Sequence, residues 1–280
     1  LSGDANTIAV QHNSSSVRVY SRAHTSLSST VTTVWEPVGG PIVLDSIALQ
    51  TIDLASSSLV VALGGNGAGA GFDARNTQIA VYVYAQETRD WKIIPFSTQS
   101  SRLIRGAQQV RVALSGDGGR MVTSYVSGQR TIVIIHRFQV TGWDEETKGI
   151  PGGPIIDFGP DLVVTASPSG ALYFYDTADE PSRGQDNKTM AFQWDEESSS
   201  SSITTTTTHL VSMSSDGETV AVARNDKIQV LYYDPPTRQW KASIFWVPPI
   251  PAINAMDLSG DGKRIGICVS GVLFGLYSIS

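Results

Sequence analysis

The sequence predicts an all-β chain built from about six antiparallel, four-stranded repeats, and three observations carry that prediction. The first is a recurring five-letter signature: Leu114-Ser115-Gly116-Asp117-Gly118 and Leu258-Ser259-Gly260-Asp261-Gly262 are both LSGDG, residues 1–4 read LSGD, and residues 213–217 read MSSDG. The second is a pair of segments after each signature: a short apolar one (residues 7–10, 120–123, 219–223, 264–269), then another ending in an aromatic (17–20, 132–138, 228–233, 272–277). The third is tryptophan, since Trp35, Trp91, Trp143, Trp194 and Trp240 each come shortly after one of these aromatic-ended segments. Apolar runs of four to seven residues rich in Val, Ile and Tyr are strand signals.

Taken in order, the copies are approximately residues 1–40, 41–104, 105–152, 153–201, 202–251 and 252–280, a period of about 47. The second and fourth lack the Asp-Gly turn but keep the strands, at 46–49, 58–63 and 79–84, and at 155–158, 161–166 and 171–175. Asp-Gly between two apolar runs predicts a primed hairpin turn, in which glycine supplies the positive φ. Four strands per period match one blade of a β-propeller, and a single blade cannot bury both faces, so neighbouring copies must stack. Six blades are expected, with seven as the alternative count. No helix-period segment exceeds about two turns.

LSGDGxxIAV, then VxVY, then W resembles the SGDG-type β-propeller repeats loosely related to WD40 and FG-GAP blades. The resemblance spans essentially the whole chain and implies the fold without an activity. The Gly-His and Trp-Asp dipeptides of WD40 repeats are absent from their places; Trp143-Asp144 and Trp194-Asp195 fall on outer strands instead. The spaced carboxylates of FG-GAP calcium loops are absent from the LSGD turns. Only Leu1 and Ser2 precede the first turn, the last copy stops before an outer strand, and the sequence does not begin with Met. The expectation is a portion of a longer chain whose preceding residues supply the missing strands.

Composition narrows the function classes. Charged residues are 16% of the 280, below the roughly 25% usual for globular domains. Serine and threonine make up the difference, 34 and 23 of them. A net charge of −6 argues against a nucleic-acid partner, which needs clustered Lys and Arg. One cysteine excludes an internal disulfide framework and any multi-cysteine metal site. No apolar stretch approaches the ~20 residues of a membrane span.

Residues that carry chemistry elsewhere have plainer readings here. Asp4, Asp117, Asp216 and Asp261 could form a ring of ligands, but turn chemistry explains their repetition. His12, His24, His136 and His209 show no metal-ligand spacing and read as strand or surface residues. Cys268 reads as a buried small hydrophobe. Residues 64–71, GGNGAGAG, lack the Lys-Ser/Thr of a phosphate loop and are expected to form a long hairpin loop. Asp144-Glu145-Glu146 and Asp195-Glu196-Glu197 offer paired carboxylates, but at outer-strand ends, where charge keeps an edge soluble. No catalytic, cofactor-binding or metal-binding residue is therefore assigned, and no cofactor is expected.

Three features point outward. Phe245, Trp246, Val247, Pro248 and Pro249 form an apolar, proline-broken stretch that is either an inter-blade linker or a partner-docking patch. Asn13 and Asn187 open N-glycosylation sequons. The runs at 198–202 (Ser) and 204–208 (Thr) suit an O-glycosylated or disordered insertion, the threonines leading into the fifth copy's first strand. Together they favour a secreted or cell-surface glycoprotein acting as an interaction or assembly scaffold, with other proteins, glycans or its own copies as partners. The alternatives are a carbohydrate-binding or carbohydrate-cleaving propeller, using the tryptophans as sugar platforms, and an intracellular hub.

Overall fold

A computed structural model describes residues 2, 6–13, 16–27, 30–43, 47–55, 59–67, 77–94, 108–127, 130–139, 142–148, 153, 155–159, 162–166, 171–176, 191–193, 209–224, 227–237, 239–245, 253–269 and 273–279. These residues are all strand, turn or connecting backbone, with no helix among them. The chain divides into two compact units, Leu1–Ile150 and Pro151–Ser280.

The first unit holds three antiparallel sheets. Strands β1 (Thr7–Asn13), β2 (Ser16–Leu27) and β3 (Thr30–Pro37) pair in order, and the short β4 (Ile42–Val43) adds to β2. The second sheet is β5 (Ile47–Leu54), β6 (Val60–Gly67), β7 (Thr77–Ala85) and β8 (Asp90–Ile94). The third is β9 (Gln108–Leu114), β10 (Arg120–Ser127), β11 (Arg130–Gln139) and β12 (Gly142–Lys148).

The second unit repeats the plan. It holds β13 (Ile155–Phe158), β14 (Leu162–Ala166), β15 (Ala171–Asp176) and β16 (Ala191–Gln193), then β17 (His209–Met213), β18 (Thr219–Arg224), β19 (Lys227–Asp234) and β20 (Gln239–Phe245). Its last sheet has three strands, β21 (Ile253–Leu258), β22 (Arg264–Val269) and β23 (Leu273–Ser278). Six sheets of three or four sequential antiparallel strands are the blades of a β-propeller, as the repeats predicted.

Period-two alternation explains why the sheets stack. On β6, Val61 and Leu63 join the first sheet's Val17, Val19 and Ile42, while Val60 and Ala62 face the third sheet's Val112, Leu114 and Met121. β18 does the same in the second unit: Val220 and Val222 pack with Val164, Leu172 and Phe174, and Ala221 and Ala223 with Ile265 and Ile267. The middle sheet of each unit is thus apolar on both faces.

A polar latch ties the first strand of one sheet to the next. The Asp53 carboxylate accepts the N–H of its own neighbour Leu54 and of Leu114 in the following sheet. Asp157 repeats this with Phe158 and Met213. Between the last two sheets serine takes the place: Leu258 N–H donates to Ser212 Oγ at 2.9 Å, and Ser212 Oγ donates to Asp257. Each latch satisfies a backbone donor where two sheets meet.

Three expectations need correction. Residues 64–67 are strand, not loop, pairing with both β5 and β7; residues 68–71 lie outside the described residues. The glycine is needed for packing, since a Cβ on Gly64 would sit 2.8 Å from Thr51 Cγ2 and 3.2 Å from Val112 Cγ1. The first strand of the second sheet runs on to Leu54, beyond the segment at 46–49, because Leu54 is the counterpart of Leu114. Cys268 is half-buried rather than fully buried.

Replacing Asp157 with alanine leaves the Met213 N–H without its acceptor at the joint between sheets. The expected cost is about 1–3 kcal/mol in urea unfolding, with Asp157→Asn losing less because its amide oxygen still accepts.

Candidate functional site

The aspartates of the signature loops are the most regular carboxylates in the chain, and the loop backbone fixes what they can do. Ser115 and Arg120 close a loop in which Ser115 N–H donates to Arg120 O and Arg120 N–H to Ser115 Oγ, both at 2.9 Å. Inside it Gly118 N–H donates to Ser115 O at 2.8 Å, and Gly118 has φ +70°. The turn is therefore a four-residue loop around an i to i+3 bond followed by a left-handed glycine, not the two-residue primed turn expected, which needs positive φ earlier in the turn. Ser214 with Thr219 and Ser259 with Arg264 form the same frame, with Gly217 at +74° and Gly262 at +65°.

The aspartates serve these frames. Asp117 Oδ1 accepts from Ser115 Oγ at 2.6 Å and from Gly119 N–H at 2.8 Å. Asp216 accepts from Ser214 Oγ and Glu218 N–H, and Asp261 from Ser259 Oγ and Lys263 N–H. The serine hydroxyl bond, foremost, holds the Asp117 and Asp261 carboxyls below the usual aspartate range. Turn chemistry thus accounts for all three, and Asp4 lies outside the described residues. The framing serines, which sequence reasoning missed, are the buried members: Ser115, Ser214 and Ser259 are at most 3% exposed. Their signal was in plain view, since the signature's serine recurs with its aspartate.

The tryptophans are mainly joints between sheets. Trp91 on β8 donates from Nε1 to Val38 O of the preceding sheet at 2.9 Å. Trp143 on β12 is fully buried with Ala55, Val60 and Ala62 of the preceding sheet. Trp240 on β20 stacks on Phe174 of the preceding sheet, centroids 4.7 Å apart. Trp194 and Trp246 lie outside the described residues. Trp35 on β3 differs, being 40% exposed.

The remaining candidates are scattered. Asp144, Glu145 and Glu146 lie along β12, where Glu146 pairs with Arg120 at 3.7 Å; Asp195, Glu196 and Glu197 are outside the described residues. His12, His24, His136 and His209 sit on β1, β2, β11 and β17. His136 is buried, its Nε2 2.9 Å from Thr123 Oγ1, and burial pushes the imidazole down to about 4. No group of three His, Cys, Asp or Glu suited to a metal occurs among the described residues. Asn13 is exposed at the end of β1, where its Oδ1 accepts from Ser16 Oγ at 3.0 Å; Asn187 is outside the described residues. Phe245 ends β20, its backbone opposite Ile228, while Trp246, Val247, Pro248 and Pro249 lie outside the described residues.

One surface stands apart. Of six exposed large apolar side chains among the described residues, four (Val10, Val34, Trp35 and Val43) belong to the first sheet. By register Val10, Trp35 and Val43 share one face of that sheet and Val34 lies on the other; exposed apolar groups gathered on one face mark interaction surfaces.

Comparisons bear on the fold alone. No family model matches the chain, and no curated protein does. Among solved structures it is similar to a functionally unknown protein from Desulfotomaculum acetoxidans DSM 771, at 13% identity and TM-score 0.57, covering 100% of this chain and 81% of that one. It is also similar to Kluyvelomyces marxianus Hsv2, at 11% identity and TM-score 0.53, covering 100% of this chain and 71% of that one.

His136 gives a pH prediction. The unfolded chain titrates this imidazole near 6.5 and the folded chain near 4, so between those values the unfolded state binds more protons and stability falls as pH is lowered. The expected slope approaches about 1.4 kcal/mol per pH unit. His136→Gln, which keeps a hydrogen-bonding group toward Thr123, should flatten urea-unfolding stability across that window.

Proposed function

We infer that the chain is a protein-interaction or assembly scaffold. The observation that carries this reading is the division of labour among its residues. The recurring aspartates and the tryptophans of three blades are occupied in turns and between sheets, while apolar side chains on the first sheet face outward. The carbohydrate reading asks for several tryptophans lining one exposed pocket, whereas Trp91, Trp143 and Trp240 pack between sheets.

Phe245, Trp246, Val247, Pro248 and Pro249 remain a second docking segment in this proposal, with Asn13 and Asn187 as glycan sites and the extracellular surface as the location. The low charge supports an embedded subunit, because a surface rich in Ser, Thr and apolar groups associates more readily than a charged one. The test is the native size of the protein in extracts of its source, before and after enzymatic removal of N-glycans. A glycan-shifted species well above 30.0 kDa is expected; an unshifted monomer at 30.0 kDa overturns both the scaffold and the secreted reading.

A further inference from the structure

We propose that the joint between the second and third sheets is an acid-operated release: a proton taken up by His136 puts a charge among the apolar side chains that close this joint, and opens it. Such a release does not depend on the scaffold reading. The repeat itself singles out the residue. Thr7, Val60, Arg120, Leu162, Thr219 and Arg264 each accept the backbone bond that closes the turn before them. Across the ladder from the residues that follow (Ile8, Val61, Met121, Val163, Val220 and Ile265) stand Tyr20, Tyr82, His136, Tyr175, Leu231 and Tyr277. Histidine thus replaces the tyrosine of four other sheets. Two residues beyond Met121, where the first, second, fifth and sixth sheets have Val10, Leu63, Val222 and Ile267, the third has Thr123, whose Oγ1 lies 2.9 Å from His136 Nε2.

The place of the pair makes a charge there costly. His136 and Thr123 are both buried, and every other buried polar side chain among the described residues is a serine or threonine. By register His136 shares a face with Met121 and Trp143, the face that packs on Val60, Ala62 and Val81 of the second sheet. Among the described side chains, the titratable groups on the third sheet's side of this joint are Tyr125 on β10 and the half-buried Glu145, opposite His136 on β12. Arg130 and Lys148 take register positions in line with His136 on β11 and β12. The second sheet contributes Asp53 on β5, which already accepts two backbone N–H groups, and Asp90 and Lys92 on β8, both exposed. Glu145 favours an imidazolium and Lys92 opposes it, and burial outweighs both.

The sign of the response follows. In the closed joint the imidazole titrates near 4, and in an opened, wet joint it returns to its ordinary value near 6.5. Between those values the open form binds more protons than the closed one, so falling pH favours opening. The response is local, because Tyr175, Leu231 and Tyr277 hold this position in the second unit, and tyrosine stays neutral at acid pH. Opening uncovers Trp143, Met121, Val112 and Leu114 as a new apolar surface.

The test is hydrogen exchange of the whole purified chain, read as amide protection factors at pH 6 and pH 5. Val110 and Leu114 report on the joint, since their N–H groups cross it to Gln50 Oε1 and Asp53. Met213, which crosses to Asp157 in the second unit, is the internal reference, because protonating a carboxylate would loosen it equally. Protection at Val110 and Leu114 should fall by about tenfold over that pH unit, the limit for one proton, with Met213 unchanged. His136→Gln and His136→Tyr, the latter restoring the repeat's own residue, should each abolish the difference. Equal losses at Met213, which mark global unfolding or carboxylate titration, overturn the proposal. So do unchanged protection in the parent chain and a pH response that persists in either folded variant.

Discussion

The structure depends on one constraint: a small antiparallel sheet with apolar residues on both faces has to be covered twice. β6 illustrates it, with Val61 and Leu63 committed to one neighbour and Val60 and Ala62 to the other. Burying a Val or Leu side chain is worth about 1.5–3 kcal/mol, so a lone blade that left one face wet would forgo most of its stabilisation. Hydrophobic burial is non-directional, however, and does not set which residue of one sheet meets which of the next. The Asp53 and Asp157 latches supply that direction, since a carboxylate bridging two backbone N–H groups fixes the offset between adjoining first strands.

Local hydrogen bonding also explains why the chain's most regular carboxylates make a poor case for catalysis. Asp117 and Asp261, whose Oδ1 atoms already accept from a buried serine hydroxyl and a loop amide, are held below the usual aspartate range. A general acid needs the opposite tuning, a pKa raised toward neutrality. Gly262 shows how tightly the frame is packed: beyond its positive φ, a Cβ there would come within 2.7 Å of Thr219 Cβ. Serine, aspartate and glycine recur together because the loop consumes all three.

Legibility in the sequence tracked the range of the interaction. Strands with local alternation, such as residues 219–224 and 264–269, emerged within a residue or two of the predicted segments. Positive φ at Gly118, Gly217 and Gly262 was legible in Asp-Gly; the turn type was not, because it depends on the Ser115-to-Arg120 closure rather than on the dipeptide. Gly64 misled for a related reason: glycine reads as loop, and what demands it is Thr51 on the paired strand together with Val112 from another sheet. Asp53 carried no signal at all, since its second partner is 61 residues away. Of the candidate surface, the exposure of Val10 and Trp35 was invisible in sequence, because both occupy positions that bury their counterparts in other copies.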